Sequence, residues 1–382
     1  MWWQWPDWER HIDWMALNGV NLPLAFTGQE EIWRRVWTQL GVSQADLATH
    51  FTGPAFLPWG RMGNLRGWGG PLGPRWHKHQ LGLQHRILAR MRSLGMLPVL
   101  PAFGGQVPEA LVKLHPKSSY TKQTWLNFNS SYSGGYLLSP LDPLFQKIGS
   151  MFIEEQTKEF GTSHVYNCDT FNEMRPPNNS ASFLASVTRA VYRGMASADP
   201  EAVWVMQGWL FLDTEFWAEE QMRAVLTSVA RGKMLILDLD STNREQYTRT
   251  RSYYGQPFIF NMIHTFGGQM AMFGRRESVN RRPAEARALA NSSMVGTGMA
   301  MEGIHNAYVM YDLLSEMSWR HDPVQDLDHW FQVSSRHRDI SEIFISLFAP
   351  GLRSKEIRAG PGQAVQWNIS SDEDSIQFSL QC

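Results

Sequence analysis

Two periodicities alternate along the chain. Apolar residues first recur at helical spacing, at Trp8, Ile12, Met15 and Ala16, with Asp7 as the expected cap and Asn18-Gly19 as the stop. A short continuous apolar run over 20–26 follows and reads as a strand. After a Gly- and Trp-rich loop over roughly 52–76, Leu83, Ile87, Met91 and Leu94 mark a helix, and 96–103 a strand. Asp142-Pro143 is a helix start, with Phe145, Ile148 and Phe152 as the inner face up to Gly161. The rhythm then repeats: strand "HVYNCD", helix over 180–198, strand "AVWVMQGW", helix over 218–231, strand "KMLILDLD". Strands "PFIFNMIHTF" and "SMVGTGM" and a helix over 305–317 complete it.

These seven candidate strands are continuous apolar runs, as in a parallel sheet covered on both faces. The class is α/β. Polar and aromatic residues collect at the C-terminal ends of the strands: Asp169 with Glu173, Trp209, Asp238 with Asp240, His264 and Glu302. A doubly wound open sheet would gather them at one switch point, whereas a (β/α)8 TIM-type barrel uses every strand end on one face. The barrel is the expected fold. It needs eight strands, and the chain opens on a helix, so the barrel is expected to lack its first strand and to show two unpaired edges. Alternation stops after Trp330. The expected organisation is a catalytic barrel over 1–332 and a weakly ordered tail over 333–382.

Composition narrows the function. Of 382 residues 43% are apolar and 19% charged, enough for a large core. With 35 basic against 36 acidic residues and no run of either sign, the chain has no electrostatic footprint for nucleic acid. No apolar stretch approaches the roughly 18 residues of a membrane span. The 17 tryptophans are in excess; core filling explains most of them, and flat rings stacked on sugar C–H faces are the other use. Cysteine is confined to Cys168 and Cys382, so no disulfide framework exists, and Cys168 reads as a small buried residue rather than a thiol nucleophile. Four acceptor triplets, beginning at Asn129, Asn178, Asn291 and Asn368, suggest a secretory history, yet "MWWQWPDW" has no signal-peptide pattern.

The segment "YNCDTFNEMRPP" sets Asp169, Asn172 and Glu173 where a core strand gives way to a loop. Glu302 stands in a similar place, far away in sequence, as a cross-barrel partner would. Two carboxylates across a cleft are the minimum apparatus of glycoside hydrolysis: one protonates the leaving oxygen, the other attacks the anomeric carbon or activates water. Surface glutamates are the alternative reading. Trp68, Trp209 and Phe266 are candidate sugar platforms, and Asn172 could bond a sugar hydroxyl or amide. Gly296 and Gly298 begin a dinucleotide-like G-x-G, but Met301 takes the third glycine's place and no ribose-binding acid follows. No cofactor is expected. Nor is a metal, since His264, Asp238, Asp240 and His305 lack tight ligand spacing, and no G-x-S-x-G elbow occurs.

The strings "WERHIDWMALNGVNLPLAFTGQEEIW", "FTGPAFLPWGRMGNLRGW", "DTFNEMRPP", "VWVMQGWLF", "GQPFIFNMIHTFGG" and "SMVGTGMAMEGI" closely resemble the α-N-acetylglucosaminidases of glycoside hydrolase family 89, over about 2–330. The resemblance implies a retaining exo-glycosidase acting on the non-reducing ends of heparan sulfate in the lysosome, with homo-oligomers in the full-length family. It makes Glu173 the acid/base and Glu302 the nucleophile, and sets Asn172, Trp209, Phe266 and Trp68, with His264 beside them, in the sugar pocket. The family also carries domains before and after the barrel. Thr265 stands where it usually has Asn, and Asn167 and Cys168 where it usually has Gly and Ala. A catalytically inactive truncated fragment, at most a carbohydrate-binding or interaction module, is therefore the alternative function.

Overall fold

The computed structural model describes residues 2–125, 128–171, 174–264, 275–301, 308–337 and 376–380, the last as backbone. Asn172, Glu173, Thr265, Phe266, Glu302 and His305 lie outside these residues. In chain order the strands are β1 (Leu22–Pro23), β2 (Leu100–Pro101), β3 (Gln106–Val107), β4 (Tyr120–Lys122), β5 (Tyr136–Leu138), β6 (Val165–Asn167), β7 (Val203–Gln207), β8 (Met234–Asp238), β9 (Phe258–His264), β10 (Met294–Met301) and β11 (Ile376–Leu380). Each of the seven expected strands is among them. β3, β4 and β5 were not expected; they form a small antiparallel sheet in the long segment between β2 and β6.

The main sheet has eight strands in the order β1-β11-β10-β9-β8-β7-β6-β2. A parallel bridge between Leu24 and Val99 joins its two ends, with Ala25 N–H donating to Val99 O at 2.9 Å, so the sheet closes into a TIM barrel. The place the sequence left empty, between β10 and β1, holds β11, parallel to both neighbours. Neither edge is unpaired. The signal for β11 is the alternation Ile376, Gln377, Phe378, Ser379, Leu380 within a segment otherwise without period. Register sets Ile376, Phe378 and Leu380 opposite Gly296, Gly298 and Ala300.

Two packed layers result. Leu22, Leu24, Val99, Val205, Leu235, Leu237, Ile259, Ile263 and Ala300 fill the barrel interior. The alternate residues, among them Tyr166, Trp204, Met234, Ile236, Phe258, Phe260 and Met299, pack outward under the helices. Burial on both faces is why these strands read as unbroken apolar runs. Helix Pro143–Phe160 starts as expected, with Asp142 Oδ1 accepting from Leu144 N–H at 2.9 Å. The first helix, Trp5–Leu17, begins earlier than Asp7: Pro6 fits the first turn, and Asp7 accepts from the Gln4 N–H at 2.9 Å from inside the helix. The loop expected over 52–76 contains two short helical turns, Pro54–Phe56 and Leu57–Arg61.

Candidate active site

Following the interior alternation to the C-terminal strand ends brings Asn167, Asp169 and Gln207 to the mouth of the barrel. A cavity of about 100 Å³ lies there, lined also by Phe26, Gln29, Arg61 and Gln106. Asp169 is its carboxylate. One oxygen accepts the Gln207 backbone N–H at 2.9 Å, and the other accepts from Asn167 Nδ2 at 3.3 Å. Asn167 Nδ2 also donates to Val205 O at 2.8 Å. Burial in the mouth pushes the Asp169 carboxyl up to about 6, against the pull of these two hydrogen bonds.

The other strand-end acids do different work. Asp238 points to the outer layer, where it accepts the backbone N–H groups of Gln246 and Tyr247, each at 2.9 Å. Burial raises its carboxyl to about 7. Asp240 holds Asn243 and Arg244, both at 2.7 Å. Both acids therefore shape the loop after β8 rather than face the mouth. Cys168 is buried and unbridged, with its thiol pushed well upward by burial, which suits a packing residue and not a nucleophile. Among the described residues no group of three or more His, Cys, Asp or Glu could hold a metal, and no helix is long and apolar enough to cross a membrane.

Trp209 follows β7 in the turn Gly208–Leu212, and the Arg244 guanidinium lies 5.4 Å from its ring centre. Trp68 stands apart from the mouth cavity in an aromatic cluster, with ring centres 4.8 Å from Tyr132, 5.3 Å from Phe128 and 5.8 Å from Phe56. A second cavity of about 260 Å³ lies beside the mouth and shares Arg61, Ala102, Gly104 and Gln106 with it. Arg61 anchors this region through Glu30, at 2.6 and 3.1 Å. Sequence reasoning passed over Gln207, Gln106 and Arg61, and took Asn167 only as a departure from the family pattern; the period-two position of Gln207 in "VWVMQ" was the available signal.

β6 and β10 stand four places apart in the ring of eight, that is, on opposite sides of the barrel. Glu173 follows β6 and Glu302 follows β10 in sequence. β10 ends beside β9, where Met301 pairs with His264, so His264 belongs to the same rim as the start of the Glu302 segment.

Comparison with known proteins gives a consistent picture. Residues 1–321 match the family model described as the α-N-acetylglucosaminidase (NAGLU) tim-barrel domain. The chain is 56% identical over 332 residues to α-N-acetylglucosaminidase of Homo sapiens, covering 86% of this chain and 45% of that protein. The chain thus spans about half the length of this relative. A family 89 glycoside hydrolase from Clostridium perfringens, solved with 2-acetamido-1,2-dideoxynojirimycin, aligns at 28% identity and TM-score 0.77, over 86% of this chain and 36% of its own. The same bacterial enzyme with two glutamates replaced by glutamine, bound to its substrate GlcNAc-α-1,4-galactose, aligns at 26% identity and TM-score 0.78, over 89% and 38%.

Proposed function

Because the chain belongs to the α-N-acetylglucosaminidase family, in its TIM-barrel domain, we propose that it is the catalytic barrel of a retaining exo-glycosidase. The bond it cleaves is a terminal α-linked N-acetylglucosamine on heparan sulfate-type glycans, and the lysosome is its place of action. Glu173 protonates the glycosidic oxygen while the Glu302 carboxylate attacks the anomeric carbon, forming a glycosyl-enzyme ester. Glu173, now a carboxylate, takes a proton from water as that water attacks the same carbon and releases Glu302. Asn172, Trp209, Phe266, Trp68 and His264 make up the proposed sugar-binding set. Trp68 would have to act from its aromatic cluster with Phe56, Phe128 and Tyr132.

The observation that carries this reading is the opposition of β6 and β10 across the barrel, since each strand is followed by one of the two glutamates. Two carboxyls approaching a sugar from opposite walls suit a displacement at its anomeric carbon. The test is turnover of an aryl α-N-acetylglucosaminide by the parent chain, E173Q and E302Q, with product stereochemistry followed by NMR. Activity in the parent, retention of configuration, loss by about 10³-fold or more in E302Q, and a loss in E173Q that grows as the aryl leaving group becomes poorer support the reading. A parent that melts cooperatively, binds the sugar and does not turn it over supports a carbohydrate-binding fragment instead.

A further inference from the structure

The segment from Asp169 to Arg175, which carries Glu173, is tied at both ends to the same stretch of chain, Gln207 to Glu215. At its start Asp169 accepts the Gln207 N–H at 2.9 Å. At its end Arg175 donates from Nε and Nη2 to the two carboxylate oxygens of Asp213, at 2.5 and 2.8 Å, and from Nη2 to Glu215 at 2.9 Å. Beyond Arg175, Pro176 is buried and Pro177 follows, so the exit of the loop is stiff as well. Asn167 supports the first tie from below through its bond to Asp169.

The second tie is poorly placed to stabilise the fold. The Arg175 side chain is 54% exposed, Glu215 84% and Asp213 34%, and ion pairs this open to water contribute little to stability. A bidentate guanidinium–carboxylate fork does fix geometry, because both bonds require one orientation. It spans from the loop after β6 to the loop after β7, beyond the last β6–β7 register pair among the described residues, Asn167 with Val205.

We infer that Asp169 and Arg175 are positioning residues that hold the proton donor Glu173 against the glycosidic oxygen by clamping both ends of its loop to the β7 end. This rests on the reading of Glu173 as the acid. A loop clamped at one end only would leave the carboxyl free to drift by about 1 Å, a displacement that can cost on the order of 10²-fold in rate. The loss has a signature. Proton donation matters most for poor leaving groups, so a misplaced acid slows cleavage of GlcNAc-α-1,4-galactose far more than of a 2,4-dinitrophenyl glycoside. A variant that merely loosens the fold slows both alike.

The experiment compares kcat/KM on these two substrates for the parent, R175A, R175K and E173Q, with a thermal melt of each. R175A is expected to lose on the order of 10²-fold in kcat/KM on the disaccharide and less than about 5-fold in kcat/KM on the activated glycoside. The reason is that kcat/KM reports the step in which the leaving group departs, whereas hydrolysis of the shared glycosyl-enzyme needs Glu173 as base with either substrate. R175K, which keeps the charge and loses the fork, is expected to fall between. Equal losses in kcat/KM on both substrates in R175A overturn the inference. If R175A does not melt cooperatively, D213N breaks the fork while leaving the guanidinium in place, and the same comparison decides. E173Q supplies the separate check: without a leaving-group dependence in that variant, the assignment of Glu173 fails, whatever the clamp does.

Discussion

A methyl group added to Gly298 would stand 2.1 Å from Asn261 Oδ1, across the β9–β10 pair inside the barrel. Asn261 is fully buried, donates from Nδ2 to Ile259 O at 3.2 Å, and its Oδ1 has no partner among the described residues. Gly298 also pairs in register with Phe378 of β11, so its backbone is held by a strand on either side. G298A is expected to destabilise by about 1–3 kcal/mol through overpacking. N261A should recover part of that loss when combined with it. Additive costs in a double-mutant cycle of chemical melts would show that the two residues do not meet.

Asp238 gives the pH prediction. Its carboxyl ordinarily titrates near 3.8 and burial raises it to about 7. The folded chain therefore holds this proton more tightly than the unfolded chain, and folding stability from this group falls as pH rises from about 3.8 to 7, then levels. The full loss is on the order of 4 kcal/mol. D238N keeps an acceptor for Gln246 and Tyr247 but does not titrate. Its melting temperature relative to the parent should thus climb between pH 4 and pH 8; a difference that stays flat across that range rules the account out.

Glu30, 3% exposed, takes two N–H groups of Arg61, and Arg61 lines both cavities at the mouth. Removing the carboxylate in E30A leaves a half-buried cation without its partner, a change expected to cost about 3 kcal/mol. The loosening should concentrate in the turn Leu57–Arg61. Hydrogen exchange that speeds up there, ahead of the barrel strands, is the expected result, together with a raised KM. Uniform acceleration throughout the chain would contradict it.

β11 makes a prediction of its own. Gln377 sits in a strand flanked on both sides by parallel partners, Thr297 being its register neighbour on β10. Proline there removes a ladder donor and has no edge to escape to. Q377P should lower the melting temperature by several degrees, whereas Q377T should not. A melt indifferent to both would mean that Ile376–Leu380 does not close the barrel.

Much of this architecture was legible because it depends on local pattern. The alternation of buried runs with helical faces located seven strands, and the start at Asp142-Pro143 was marked by cap chemistry that acts over a few residues. The small sheet of β3, β4 and β5 escaped notice because its strands are two or three residues long, below the length at which period two becomes visible. β11 was passed over because five alternating residues lie in a segment rich in Gly, Pro and charge.

The sequence by itself determined an α/β chain with its polar residues at the C-terminal ends of its strands, since the spacing of apolar residues is enough to set elements and their direction. It could not say which strand-end acid looks inward. Asp169 and Asp238 each end an apolar run, and only packing sends the first into the mouth and the second under the helices. Nor could it close the ring, because a parallel strand finds its neighbour by register and buried area rather than by proximity in sequence. Tertiary structure decided both, bringing β11 beside β1 from the far end of the chain and setting β6 opposite β10.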